Sequence, residues 1–166
     1  MTDLPDEDKA MQYALRVLGY RARSIQEMRR KLETRKFPQN VTAHILHELV
    51  RLQLLDDREF AQSWIESRKS YGSARLRREL FQKGISRELV EDIMVTGVSA
   101  DEECLAAWSV VVRSLRGATD SPDLKVQLKI RRLLQRRGFS YDTVNRVCAR
   151  LNDNSTAEED WLELAP

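Results

Sequence analysis

Cysteine is nearly absent: Cys104 and Cys148 are the only two, far apart and without Cys-x-x-Cys spacing, so no disulfide framework or thiolate metal knuckle is expected. Both read as buried free thiols. The six glycines include no G-x-x-x-x-G-K-[ST] and no G-x-G-x-x-G, which removes the backbone cradles that hold nucleotide phosphate. Only two histidines occur, His44 and His47, three apart on one predicted helix with no further ligand cluster, so no metal site is expected. Nucleophile elbows and paired catalytic carboxylates are missing too, and the acids Asp56-Asp57 are explained by a helix start at the positive end of its dipole. No apolar run approaches the ~18 residues of a membrane span. The opening residues Met1–Lys9 carry Asp3, Asp6, Glu7 and Asp8 where a secretory signal has a basic start. These absences predict a cytoplasmic protein that is not an enzyme, carries no cofactor and does not meet a membrane.

Strand signals are lacking as well. Alternation never persists, and β-branched clusters such as Val110-Val111-Val112 lie inside helical patterns. Helix starts are frequent: Ser24-x-x-Glu27 and Ser99-x-x-Glu102 read as capping boxes, Ser121-Pro122 as a cap before a first-turn proline, and Asp56-Asp57, Ser86 and Ser140 as further starts. Gly84 and Gly138 follow helical runs and precede an apolar residue, which marks helix ends. Nine short helices are predicted.

An internal repeat organises them. IQEMRRKLETRKFPQNV (25–41), SARLRRELFQKGISREL (73–89) and QLKIRRLLQRRGFSYDT (127–143) align without a gap, at offsets of 48 and 54 residues. Met28/Leu76/Ile130 and Leu32/Leu80/Leu134 form one helix face, Phe37/Ile85/Phe139 fill the turn, and Ile45/Ile93/Val147 belong to the next helix. A further helix precedes each unit (Asp8–Tyr20, Asp57–Arg68, Ala100–Leu115). The expected fold is all-α: three tandem three-helix, helix-turn-helix-like repeats in an elongated arrangement. The boundaries are an acidic extension at 1–9, repeats at 10–55, 56–98 and 99–151, and an acidic tail at 152–166. Gly117–Asp123 is the expected hinge, and the tail is expected to be mostly disordered, with Trp161, Leu162 and Leu164 as its apolar exception.

The net charge of +2 is the resultant of −3 over residues 1–9, −5 over 152–166 and +10 between them. A basic body of this kind suits nucleic acid or an acidic protein groove. Three repeat positions are basic throughout: Arg29/Arg77/Arg131, Arg30/Arg78/Arg132 and Arg35/Lys83/Arg137. The last set falls in a final helical turn, where cations meet the dipole. Glu27 and Glu33 lie near the first pair, but the third repeat has Lys125, Lys129, Arg131, Arg132, Arg136, Arg137, Arg146 and Arg150 against the single acid Asp142 between 125 and 150. At ~100° per residue, Lys125, Lys129, Arg132 and Arg136 form one stripe. Uncompensated like charge is unfavourable unless an anion meets it, so this stripe is the expected binding face.

Two adjacent segments carry a family resemblance. Leu54-Leu55-Asp56-Asp57-Arg58-Glu59-Phe60-Ala61 resembles the RecX element [YL]-[LI]-D-D-x-x-[FY]-[AV], and Lys69–Ile85 resembles its G-x-G-P-x-R-[IL]-x-x-E-L-x-x-K-G-I. Lys129–Phe139 fits the closing R-F-L-x-x-R-G-[FY], and the resemblance spans roughly 10–151. Gln53 stands where the family usually has Gly, and Ser73 where it usually has Pro. The resemblance implies a cytoplasmic monomer that binds a RecA-type recombinase filament on single-stranded DNA. It further implies inhibition of ATP hydrolysis, strand exchange and co-protease activity, within recombination, DNA repair and the SOS response, with weak direct DNA contact as an accessory. The expected contact residues are Lys125, Lys129, Arg131, Arg132 and Arg136 with Arg75, Arg77 and Arg78. Residue patterns alone leave a second reading open, a helix-turn-helix DNA-binding protein with no recombinase partner. Against base readout, the candidate recognition helices open differently, at Val41-Thr42, Arg87-Glu88 and Tyr141-Asp142.

Overall fold

Apolar residues three and four apart bury one stripe of a helix, and such stripes recur here from end to end. A computed structural model describes residues 5–115 and 124–152, and among these it contains nine α-helices and no strand. They are α1 (Asp6–Tyr20), α2 (Ile25–Thr34), α3 (Gln39–Arg51), α4 (Asp57–Glu66), α5 (Ser73–Gln82), α6 (Arg87–Gly97), α7 (Ala100–Leu115), α8 (Leu124–Arg136) and α9 (Tyr141–Asn152). The predicted hinge at 117–123, the Ser121-Pro122 cap and the acidic tail from 153 lie outside the described residues. No described helix is long and apolar enough to cross a membrane.

Helix starts follow local chemistry. The Ser99 box is complete: Glu102 N–H donates to Ser99 Oγ (3.1 Å) and Ser99 N–H donates to the Glu102 carboxylate (2.8 Å). The Ser24 box is half made. Ser24 Oγ accepts from Glu27 N–H (3.1 Å), but the Glu27 carboxylate meets Arg21 and Lys83 instead of returning to the cap. Asp56 Oδ1 accepts from the Arg58 and Glu59 amides, and Ser86 and Ser140 cap α6 and α9. Helix ends repeat as well. Phe37, Ile85 and Phe139 each donate their N–H to the carbonyl of Leu32, Leu80 and Leu134, the six-to-one bond of a Schellman turn. The residue before each is left-handed: Lys36 (φ 62°), Gly84 (φ 83°) and Gly138 (φ 82°).

The chain divides into two compact units, Met1–Trp64 with Glu79–Ile93, and Ile65–Arg78 with Met94–Pro166. The division passes through the middle repeat, between Arg78 and Glu79 of α5. In the first unit α1, α2 and α3 close over Ala10, Ala14, Val17, Met28, Leu32, Ile45 and Leu49. In the second, α7, α8 and α9 close over Ala107, Val110, Val111, Ile130, Leu134, Val144 and Val147. Of the twelve repeat positions predicted to be apolar and inward, Phe37 alone is only partly buried. Cys104 and Cys148 are both buried and unpaired, and burial pushes the Cys148 thiol above its ordinary value, partly offset by Arg131.

The same seam between consecutive repeats occurs once in each unit. In the first, Ser24 Oγ donates to the Lys83 carbonyl (2.6 Å) and Ile25 N–H to Asp57 Oδ1 (2.9 Å). At the equivalent residues of the second, Gly72 N–H donates to the Arg137 carbonyl (3.0 Å) and Ser73 N–H to Glu103 Oε1 (2.8 Å). The opening turn of one repeat's second helix thus seats on the glycine turn of the next repeat, whose first helix supplies an acid to an orphan amide. Contact is close: a Cβ on Gly84 would overlap Gln26, and one on Gly72 would overlap the Gly138 carbonyl and the Phe139 backbone.

Candidate functional site

The side of α8 away from Ile130 and Leu134 lines a groove of about 490 Å³ in the second unit, formed by Lys125, Leu128, Lys129, Arg132, Leu133 and Arg136 with Ser114 of α7. All four cations are exposed, and none has an ion-pair or hydrogen-bond partner among the described residues. They fall within ~60° of arc at 100° per residue, so four like charges share one wall. The groove is not purely polar. Leu128 is 46 % exposed and Leu124, one turn earlier, is 71 % exposed, so an apolar strip borders the cations. The cationic stripe was legible in the sequence, but Leu128, Leu133 and Ser114 were not assigned to it. For Leu128 the signal was its spacing from Leu124, four apart outside the buried stripe; Ser114, on another helix, had none.

The other four predicted contact residues are placed differently. Arg131 turns to the α9 side, where its Nη1 donates to Asn145 Oδ1 (2.9 Å). Arg75 lies over the Tyr71 ring at 3.9 Å from the centroid. Arg77 is half-buried and Arg78 exposed on α5. Arg137 also approaches Tyr71, at 5.7 Å, and its Nη1 donates to the Ser70 carbonyl (3.1 Å). Tyr71 therefore gathers two arginines in the second unit, Arg75 one turn away and Arg137 from a distant helix end, and local periodicity could not mark the second.

The basic set expected at helix ends proves to be more than dipole compensation. Arg35 lies over Tyr13 (4.8 Å), Lys83 over Trp64 (4.6 Å) and Arg137 over Tyr71, so each repeat covers an aromatic face with the cation at this position. Lys83 also pairs with Glu27 (2.7 Å). Against the burial that would raise its pKa, hydrogen bonds from Arg21 and Lys83 hold Glu27 down to about 2. The second unit's seam has another acid at its centre. Glu103 is buried, yet its carboxylate accepts from Ser73 N–H and from Thr143 Oγ1 (2.7 Å). Burial alone would raise its pKa, and these bonds bring it below the ordinary value. His44 and His47 are both exposed on α3. Nothing at the α8 groove combines a nucleophile with a base. What it offers is four cations beside an apolar strip, a surface complementary in charge and polarity to an elongated anion with apolar side groups.

Comparison with known proteins gives this architecture a family. Models of the first, second and third three-helix domains of RecX match residues 10–49, 56–94 and 101–148. The regulatory protein RecX of Chlorobium phaeobacteroides is 36 % identical over 86 % of this chain and 93 % of its own length. That of Halalkalibacterium halodurans is 29 % identical over 94 % of this chain, which spans 59 % of that protein's length. In fold, the crystal structure of RecX from Lactobacillus salivarius superposes with a TM-score of 0.78 over 89 % of this chain and 97 % of that one, at 23 % identity. With the three domain models matching in tandem over most of its length, the chain belongs to the RecX family of regulatory proteins.

Proposed function

We infer that this protein regulates a RecA-type recombinase by binding its filament on single-stranded DNA. The consequences are slower ATP hydrolysis and strand exchange and a weaker co-protease function in recombination, DNA repair and the SOS response. Such a partner places it in the cytoplasm, and it acts as a monomer with neither cofactor nor catalytic step of its own. Family membership supports the partner. The single observation that supports the surface is the groove along α8, where Lys125, Lys129, Arg132 and Arg136 stand exposed without a partner among the described residues. A filament of recombinase on DNA offers both acidic protein side chains and phosphate, and uncompensated cations on a rigid helix attract either. Arg131, Arg75, Arg77 and Arg78 extend the proposed contact.

Charge reversal tests the reading. Lys129→Glu with Arg132→Glu leaves thermal stability within ~0.5 kcal/mol, because both side chains are exposed, and it sharply weakens inhibition of strand exchange. Full inhibition by this variant, with loss of inhibition on reversing Arg77 and Arg78, would move the contact to the middle repeat. The salt dependence of binding separates the two kinds of partner. Removing a cation that meets a DNA phosphate lowers the log-affinity against log-salt slope by about 0.7 on single strands or 0.9 on duplex, whereas a cation that meets protein gives no fixed decrement. Tight DNA binding with an untouched recombinase favours the helix-turn-helix reading.

A further inference from the structure

The α8 groove has two chemistries side by side, four cations with no partner among the described residues and an apolar border at Leu124 and Leu128. The same chain contains a segment with the complementary pair. Residues 153–166 hold five acids, Asp153, Glu158, Glu159, Asp160 and Glu163, no cation, and the apolar Trp161, Leu162 and Leu164. We propose that this acidic segment docks in the α8 groove of its own chain and competes with the anionic partner for it.

Three physical points carry the assignment, which rests on reading the groove as the binding face. The first is pattern: acids and apolar residues interleave at 158–164, so one extended segment can set carboxylates against Lys125, Lys129, Arg132 and Arg136 while Trp161 covers Leu128. A groove of about 490 Å³ takes an indole. The second is reach. α9 ends at Asn152 in the same compact unit as α8. Nine residues then lead to Trp161, which span up to ~30 Å at roughly 3.3–3.6 Å each; α8, with 13 residues, is ~20 Å long at 1.5 Å per residue. The third is concentration. A short tether holds its end at an effective concentration on the order of 1 mM, so a tail contact with a Kd of ~0.1 mM reduces the affinity of a competing anion ~10-fold.

Full-length protein answers the question. Carbodiimide joins carboxylates to amines that touch, and the expected products are intrachain links from Glu158, Glu159, Asp160 or Glu163 to Lys125 or Lys129, outnumbering links to the other five lysines. In parallel, the full-length variant E158Q/E159Q/D160N/E163Q/W161A binds labelled oligothymidylate ~10-fold more tightly than the parent. The same substitutions in a K129E/R132E background leave affinity unchanged. Links spread evenly over all lysines, links joining two copies, or equal tightening in both backgrounds overturn the proposal, the last because it reports only long-range repulsion. Where oligothymidylate does not bind, the cross-link pattern alone decides. Recombinase inhibition is scored separately: tail links to α8 in a protein that leaves the recombinase untouched keep the tail assignment and reject the partner reading.

Discussion

Gln53 and Lys36 are the two described residues other than glycine in the left-handed region, at φ 57° and 62°. Both follow a helix end, where the backbone must reverse, and both lack the glycine that does this without strain. Left-handed geometry costs a side-chain-bearing residue about 1–2 kcal/mol, and glycine's extra unfolded-state entropy returns about 0.5–1 of it. Gln53→Gly and Lys36→Gly should therefore each stabilise the protein by about 0.5–1 kcal/mol, read as a higher midpoint in urea. Gly72→Ala should cost about 3 kcal/mol, because the atoms its Cβ meets are backbone and cannot step aside. The glycine that the family resemblance leads one to expect at position 53 thus has a physical cause that the bare sequence did not reveal: Gln53 is an unremarkable polar residue until its φ is known.

Glu27 gives a prediction in pH. Its folded pKa of about 2 lies below the ordinary 4.5, so its contribution is complete above ~4.5 and is lost as pH falls towards 2. Glu27→Gln should cost about 1–2 kcal/mol at neutral pH, after allowance for solvent screening, and almost nothing at pH 2. A parallel loss at both pH values in urea titrations would contradict the ion pairs with Arg21 and Lys83.

At the scale of helices, the seams between repeats join elements distant in sequence. Ser73 N–H reaches Glu103, and Thr143 reaches the same carboxylate. A proline at 73, which the family resemblance leads one to expect there, would suit a first helical position but could not donate this bond. Glu103→Ala strands two donors and should cost about 3 kcal/mol, whereas Glu102→Ala, at an exposed cap, should cost about 1. Equal effects of the two would remove the special role of Glu103. The sequence made the helices, their starts and their repeat legible because these depend on neighbours three and four residues apart. The seams were not legible, since they pair residues about 30 to 60 apart and no local period encodes such pairing. Glu27 shows the difference within one residue: the spacing Ser24-x-x-Glu27 implied a capping box, and Lys83, 56 residues away, drew the carboxylate elsewhere.

For the whole molecule, charge distribution matters more than its small net value. The +10 body between acidic ends was legible by counting, and so was the stripe Lys125, Lys129, Arg132 and Arg136, because like charges four and three apart must share a helix face. The apolar border of the groove was less legible, since Leu124 and Leu128 lie outside the inward face that Ile130 and Leu134 mark, and single exposed leucines are ordinary until a groove is seen beside them. The partner proposed for this stripe is a recombinase filament. The most direct measurement is the rate of ATP hydrolysis by the cognate RecA-type recombinase on single-stranded DNA, titrated with the full-length protein. Hydrolysis should slow with less than one copy per recombinase monomer, and an unchanged rate with the protein in excess would contradict the claim.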